Sequence, residues 1–339
     1  MTPTLADIMA AARVICGVAD GTPLVPSPHM SGVAGHDFLL KLEIAQPIGA
    51  FKLRGALNAV AGLGNVAGVT CCSTGNHGRG VAWAARERGL RAVICMSELV
   101  PRAKVEGIRA LGAEVRITGR SQDDAQAEAA RLVAEEGLVE IPPFDDARVI
   151  AGQGTIGLEI MARRPDLDML LVPLSGGGLA AGVALAAKTI KPGIRVVGVS
   201  MDRGAAMHDS LRAGRPAPVD EVPSLADSLG GGIGADNRLT LAMCRDLLDE
   251  VVLVGEQDIY RAMQVLYHED RIVAEGGSAV GLAAVLTGRV RPAGPAATII
   301  TGRNPDMEMF TRVVTGQDVV LGDLTVRGSV YQGGCVDGP

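Results

Sequence analysis

Short apolar runs alternate with longer amphipathic ones along most of this 339-residue chain. "DFLLKLE" (37–43), "GVTCCST" (68–74), "RAVICM" (91–96) and "AEVRIT" (113–118) read as strands. Between them, a stretch beginning near Lys52, "NHGRGVAWAARERG" (76–89) and "PRAKVEGIRALG" (101–112) read as helices. "SQDDAQAEAARLVAEEG" (121–137) opens on a Ser cap candidate with acidic residues in its first turn, as a helix dipole favours. After residues 142–164 the pattern resumes with the strand "DMLLVPL", the helix "GLAAGVALAAK", the strand "IRVVGVS" (194–200) and the helix "GAAMHDSLRAG" (204–214). "EVVLVG" (250–255), "EQDIYRAMQVLYHED" (256–270) and "AATIITG" (296–302) continue it. Such alternation predicts parallel sheets covered by helices on both faces. The two series divide near residue 145, which predicts two α/β lobes. Ligands in such folds bind beyond the carboxyl ends of the strands.

A chain of this length can bury a large core. Its net charge is −6, it has no basic block, and aromatics make up 2%, which disfavours nucleic acid as a partner. The apolar stretch "LVPLSGGGLAAGVALAAKTI" (171–190) is interrupted by Pro and Gly. It predicts a buried strand–turn–helix rather than a membrane span. Asp7 and Arg13 interrupt the first apolar run, unlike a secretory signal. The six cysteines include no CxxC pair, and adjacent Cys71 and Cys72 should face opposite sides of a strand. A reduced cytoplasmic protein is the simplest reading.

Three constellations carry chemistry. "PLSGGGLAAG" (173–182) follows a strand and opens a helix, where backbone N–H groups and the helix N-terminus favour an anion. It lacks the Lys-Ser/Thr of a nucleoside triphosphate loop. Gly176, Gly178 and Ala181 fit G-x-G-x-x-A, and Asp202 follows the next strand, so a dinucleotide, a small phosphate and a bare tight turn all remain open. "STGNHGRG" (73–80) could bind a carboxylate, or Ser73 or Thr74 could simply cap the helix. Lys52, in "QPIGAFKLRGALNAV" (46–60), sits among apolar and small residues. Desolvation there would favour the neutral amine, which can form a Schiff base with a carbonyl cofactor. The alternative is an ordinary solvated or ion-paired lysine. Met263, Leu266 and Tyr267 read as core, and Asp123 and Asp124 as a solvated helix start.

Together with "AGQGTIGLEI", "SLADSLGGGIG", "AEGGSAVG" and "TGRNPDMEMF", these segments resemble, in order over about residues 5–312, the fold-type II pyridoxal-phosphate enzymes. The similar branch holds the threonine and serine dehydratases and serine racemase. Within it the sequence looks most like the hydroxyectoine-utilisation dehydratases. The resemblance implies a two-lobed, tryptophan synthase β-like α/β fold with parallel-rich twisted sheets flanked by helices. It implies a large cofactor-binding domain (1–65 and 146–318), a small substrate-loop domain (66–145) and a tail (319–339), Gly-rich and partly mobile. Pyridoxal 5'-phosphate is the implied cofactor, held covalently by Lys52. Phe51 would lie near the ring, and Asn76 on the ring hydroxyl. Gly176, Gly177, Gly178 and Leu179 would hold the phosphate. Glu275 would sit beside the ring and Thr301 against the ring nitrogen. Ser73, Thr74, Gly75 and His77 match the substrate-carboxylate loop, with His77 read as structural rather than proton-transferring.

The implied activity is that of an ammonia-lyase. It eliminates water from a small β-hydroxy amino acid, giving a 2-oxo acid and ammonia, in hydroxyectoine catabolism. A serine- or aspartate-type racemase on the same scaffold is the alternative. An NAD-dependent dehydrogenase and a catalytically silent binding protein stand further off. The family is usually a homodimer or larger homo-oligomer. The sequence also departs from its relatives. Ile48 and Ala50 stand where dehydratases often carry hydroxyls. Thr74 stands where serine racemase uses a serine as second base, so it joins Lys52 as a catalytic candidate. Ser200 and Ala206 stand at the racemase's cation ligands, so no metal is expected. Arg79 and Arg303 are commonly uncharged in the racemase, which suggests a substrate with an additional carboxylate. The match ends without the regulatory domain of biosynthetic threonine dehydratases, which fits a catabolic role.

Overall fold

The computed structural model describes residues 1–19, 21–73, 75–98, 100 and 102–333. Two sheets organise it. The larger contains β1 (Leu24–Pro26), β2 (Phe38–Leu42), β7 (Met169–Pro173), β8 (Arg195–Met201), β9 (Glu250–Val254) and β10 (Ala296–Ile300), in the order β1-β2-β10-β7-β8-β9. Only β1 pairs antiparallel in it. The smaller contains β3 (Val69–Cys72), β4 (Ala92–Met96), β5 (Glu114–Ile117) and β6 (Val139–Glu140), all parallel, in the order β5-β4-β3-β6.

The central strands of both sheets are buried on both faces, as their near-continuous apolar sequence requires. Their side chains split cleanly between two cores. Phe38, Leu40, Met169, Leu171, Val197 and Val199 face one, whereas Leu39, Leu170, Val172 and Val196 face the other. Cys71 and Cys72 divide the same way across the small sheet, as the two-residue period predicts.

The helix Ala147–Arg163 lies between the helix Lys52–Ala61 and the helix Gly178–Ile190. Glycine permits this spacing: a Cβ on Gly152 would come within 2.7 Å of the Arg54 carbonyl oxygen, and one on Gly182 within 2.4 Å of that of Ile150. The glycines of "AGQGTIG" therefore bring the lysine-bearing helix and the glycine-turn helix together.

Two expectations need correction. The stretch expected to be a tail contains a hairpin, β11 (Val319–Leu321) and β12 (Leu324–Val326). Its Val319, Leu321 and Val326 complete the core of the large sheet. Met263 and Leu266 are buried as expected, but Tyr267 is 37% exposed, its ring edge-on to Phe310. The next position on that helix, His268, instead stacks on Tyr331.

Candidate active site

Residues 49–51 are stitched to the end of β10. The Phe51 amide donates to the Thr301 carbonyl at 3.0 Å, the Arg303 amide to the Gly49 carbonyl at 2.9 Å, and Ala50 bridges Gly302. Gly49 has φ +74°, a conformation that glycine adopts without strain. This turn delivers Lys52 to the first position of its helix beside Thr301. Two residues on, fully buried Arg54 anchors the helix through Glu43 (2.8 and 2.9 Å) and Glu159 (2.6 and 3.0 Å). Lys41 joins the same group through Glu159.

The Lys52 amine donates to the Pro143 carbonyl at 2.7 Å and lies 5.3 Å from the centre of the Phe51 ring. Desolvation lowers its pKa from 10.5 to about 8. It is thus not freely solvated, and it has no ion-pair partner among the described residues. The residue after its acceptor, Phe144, closes on the glycine turn: a Cβ on Gly176 would meet the Phe144 ring at 2.3 Å. Gly177 caps the helix Gly178–Ile190 at φ +90°. A Cβ there would come within 3.0 Å of both Thr240 and Cys244. The first-turn amides of that helix, with Leu179 among them, have no intrahelical partner and carry the positive end of its dipole.

Asn76 opens the helix Asn76–Glu87 and donates to both oxygens of Glu275, at 2.9 and 3.0 Å. Asn304 closes the triangle. Its side-chain amide donates to the Asn76 oxygen at 2.7 Å, and its backbone N–H to Glu275 at 2.9 Å. Burial raises the Glu275 pKa, against lowering by hydrogen bonds from Asn76, Asn304 and Ser228. The Thr301 hydroxyl lies 2.9 Å from that of Ser278, which also accepts from the Gly302 amide at 3.0 Å.

Ser73 and Gly75 sit half-buried between β3 and the Asn76 helix. The cap residue is Gly75, with no side-chain cap bond, so Ser73 is not the cap. Thr74 lies outside the described residues. His77 is buried, with Nε2 2.7 Å from the Ile141 carbonyl. Desolvation first, then the charge of Lys52, brings its pKa down to about 3. A ring that stays neutral there suits a structural place. Arg79 keeps its Nε buried without a partner, and Arg303 is exposed. Asp202 lines another cleft with Gly255, Glu256 and Asp258, away from the glycine turn, contrary to the dinucleotide reading. Among the described residues no three His, Cys, Asp or Glu side chains gather as a metal site, and no helix is long and apolar enough to cross a membrane.

Of the residues singled out in the sequence, the structure brings together Lys52, Asn76, Glu275, Thr301 and the glycine turn. Sequence reading missed Pro143, Phe144, Ser228, Ser278 and Asn304. Ser228, Ser278 and Asn304 lie inside segments already singled out, so polar residues there were the available signal.

The chain was compared with known proteins. Residues 15–302 match the family described as pyridoxal-phosphate dependent enzyme. A Sinorhizobium fredii protein named "Putative threonine dehydratase" is 54% identical over 87% of this chain and 90% of its own length. The L-threonine ammonia-lyase of Thermotoga maritima is 40% identical over 92% of this chain and 78% of its own length. The solved maize serine racemase superposes with a TM-score of 0.87 at 32% identity, covering 92% of this chain and 97% of the racemase. The chain belongs to the pyridoxal-phosphate-dependent enzyme family. Within it, the chain falls in the threonine/serine dehydratase and serine racemase branch, and it is a pyridoxal-phosphate-dependent lyase. The residues fit that cofactor: a lone amine of depressed pKa, an anion-favouring glycine turn beside it, and neutral and acidic polar groups around it.

Proposed function

We propose that this lyase is an ammonia-lyase that removes water from a small β-hydroxy amino acid and yields a 2-oxo acid and ammonia. The observation that carries the reading is Lys52: an amine bonded, among the described residues, to the Pro143 carbonyl, next to the residue that closes the glycine turn. The relatives named for threonine deamination support it.

In this reading Lys52 holds the cofactor, with Phe51 beside its ring. The N–H groups of Gly176, Gly177, Gly178 and Leu179 would take its phosphate, Asn76 its ring hydroxyl and Thr301 its ring nitrogen, with Glu275 beside the ring. When bound, pyridoxal phosphate supplies an electron sink for charge developing at the substrate α-carbon. Ser73, Thr74, Gly75 and His77 orient the substrate carboxylate. Lys52 Nζ, whose burial favours the neutral amine, would take the α-proton. The β-hydroxyl then leaves as water, and the enamine product hydrolyses to the 2-oxo acid and ammonia. The neutral Ser278–Thr301 hydroxyl pair offers the ring nitrogen no charged partner, which favours elimination over transamination. Residues 1–65 with 146–318 form the cofactor domain and 66–145 the small domain. The sheets support this, the larger drawn from residues 24–42 and 169–300 and the smaller from 69–140. The protein acts in the cytoplasm as a homo-oligomer, and hydroxyectoine breakdown is its proposed setting.

Purified protein is expected to be yellow and to release 2-oxo acid from serine, threonine, hydroxyaspartate or a hydroxylated diaminobutyrate. Lys52→Ala loses both properties. A wild type that stays colourless with added cofactor ends the reading. The solved serine racemase favours a second reading, amino-acid racemisation. Chiral analysis of residual substrate decides between them.

A further inference from the structure

The two aspartates of "PPFDDARV" do different jobs. Asp146 caps its own helix, accepting from Arg148 and Val149 at 2.8 and 3.0 Å. Asp145 reaches across the fold to another. Its Oδ2 accepts from the Arg238 amide at 2.7 Å, and its Oδ1 from those of Leu239 and Thr240 at 2.9 and 2.8 Å. These amides open the helix Thr240–Leu247, where Leu239 supplies no side-chain cap and the Asn237 side chain accepts from the Leu241 amide at 2.9 Å. A carboxylate at a helix start satisfies amides left without intrahelical partners and suits the positive end of the dipole.

Both elements that Asp145 joins touch the glycine turn. Phe144, its chain neighbour, lies against Gly176 and Gly178, whose added Cβ atoms would come within 2.3 and 3.0 Å of it. From the other wall, Thr240 and Cys244 lie against Gly177, each 3.0 Å from where a Cβ would stand. Cys244 also bonds the Gly177 carbonyl at 3.7 Å. One residue before Phe144, Pro143 supplies the carbonyl that accepts from Lys52. Three consecutive residues thus address the lysine, one wall of the turn and the helix that forms the other wall.

We propose that Asp145 is a positioning residue for cofactor binding: it clamps the two walls of the glycine turn together and fixes them relative to Lys52. The proposal rests on the glycine turn being the phosphate subsite. Without the clamp the turn amides lose their common orientation, and the phosphate is held less well. Asp145 does not contact the reacting atoms.

The test uses the full-length protein and three variants. Asp145→Ala removes all three acceptor bonds. Asp145→Asn retains one acceptor oxygen and covers the case in which the alanine variant does not fold. Asp146→Ala removes a neighbouring cap that does not reach the turn. Half-saturation by pyridoxal phosphate is followed by absorbance, inhibition of that capture by inorganic phosphate is measured, and each apoprotein is unfolded in urea. Asp145→Ala is expected to raise half-saturation by on the order of tenfold or more and to weaken phosphate inhibition, with Asp145→Asn in between. Asp146→Ala should lose apoprotein stability without either change. Cofactor half-saturation and phosphate inhibition in both Asp145 variants equal to those of Asp146→Ala overturn the clamp. Gly177→Ala separates the two layers. If it and both Asp145 variants leave capture and phosphate inhibition unchanged, the subsite assignment fails together with the clamp. If Gly177→Ala alone impairs them, only the clamp fails.

Discussion

Lys52 and the Pro143 carbonyl stand 2.7 Å apart, and no carboxylate pairs with the lysine among the described residues. A carbonyl oxygen supports an ammonium less than a carboxylate would, so burial dominates and the amine titrates near 8 instead of 10.5. The neutral amine is the form that attacks a carbonyl. The rate of pyridoxal-phosphate capture by the apoprotein should therefore rise with pH, pass half its maximum near pH 8 and level off above that, measured by stopped-flow absorbance. A rate still climbing past pH 10 would return Lys52 to the class of ordinary lysines.

Arg54 has no exposed surface, and its partner Glu43 is equally buried. Arg54→Ala leaves Glu43 without its counter-charge and Glu159 with Lys41 alone. Removing one partner of a buried pair costs about 3–5 kcal/mol. Urea unfolding should show a loss of that order, with cofactor capture impaired because the same helix begins at Lys52. A loss below about 1 kcal/mol, typical of surface pairs, would mean the network contributes little.

His77 gives the fold an acid limb. It is neutral in the native state down to about pH 3, whereas the unfolded chain protonates it near 6.5. Between those values the unfolded state binds more protons, so stability falls as pH drops through the window and is unaffected above it. Each tenfold difference in acidity constant is worth about 1.4 kcal/mol, so the cost at low pH reaches several kcal/mol. His77→Gln should flatten unfolding free energy between pH 6.5 and 4 relative to wild type. Parallel curves for the two proteins would remove His77 as the cause.

Substrate choice can be tested at Arg79. Its Nε is buried and has no partner among the described residues, on the helix that begins at Asn76. A carboxylate reaching it would gain a charge-assisted bond. Arg79→Gln should lower kcat/KM for hydroxyaspartate by about tenfold or more against serine. An unchanged ratio between the two substrates would sink the idea.

The alternation of strand and helix was legible because buried parallel strands must be apolar throughout, as in "AVICM" and "MLLVP". Lys52 and the glycine turn were each ambiguous alone and became legible only through the order of the motifs around them. The hairpin at 319–326 was hidden by its glycines, which read as slack but serve a turn at Gly322, φ +61°. Pro143 was invisible for a different reason: it acts through its backbone carbonyl, which every residue has. Arg54 and Glu159 lie 105 positions apart, so neither charge announces its burial. Tyr267 followed the helical spacing yet fell on the boundary of the buried face, where periodicity alone does not decide exposure.

The triangle of Asn76, Glu275 and Asn304 has a consequence for biosynthesis. Asn76 and Asn304 are 228 residues apart in sequence. Contacts of such separation form only after a long loop has closed. During translation Lys52 and Asn76 emerge well before Glu275 and Asn304 exist to meet them. A nascent or stalled chain therefore carries Lys52 and Asn76 before the triangle can close. A chain interrupted before residue 275 holds Asn76 without either of the residues that complete its hydrogen bonds.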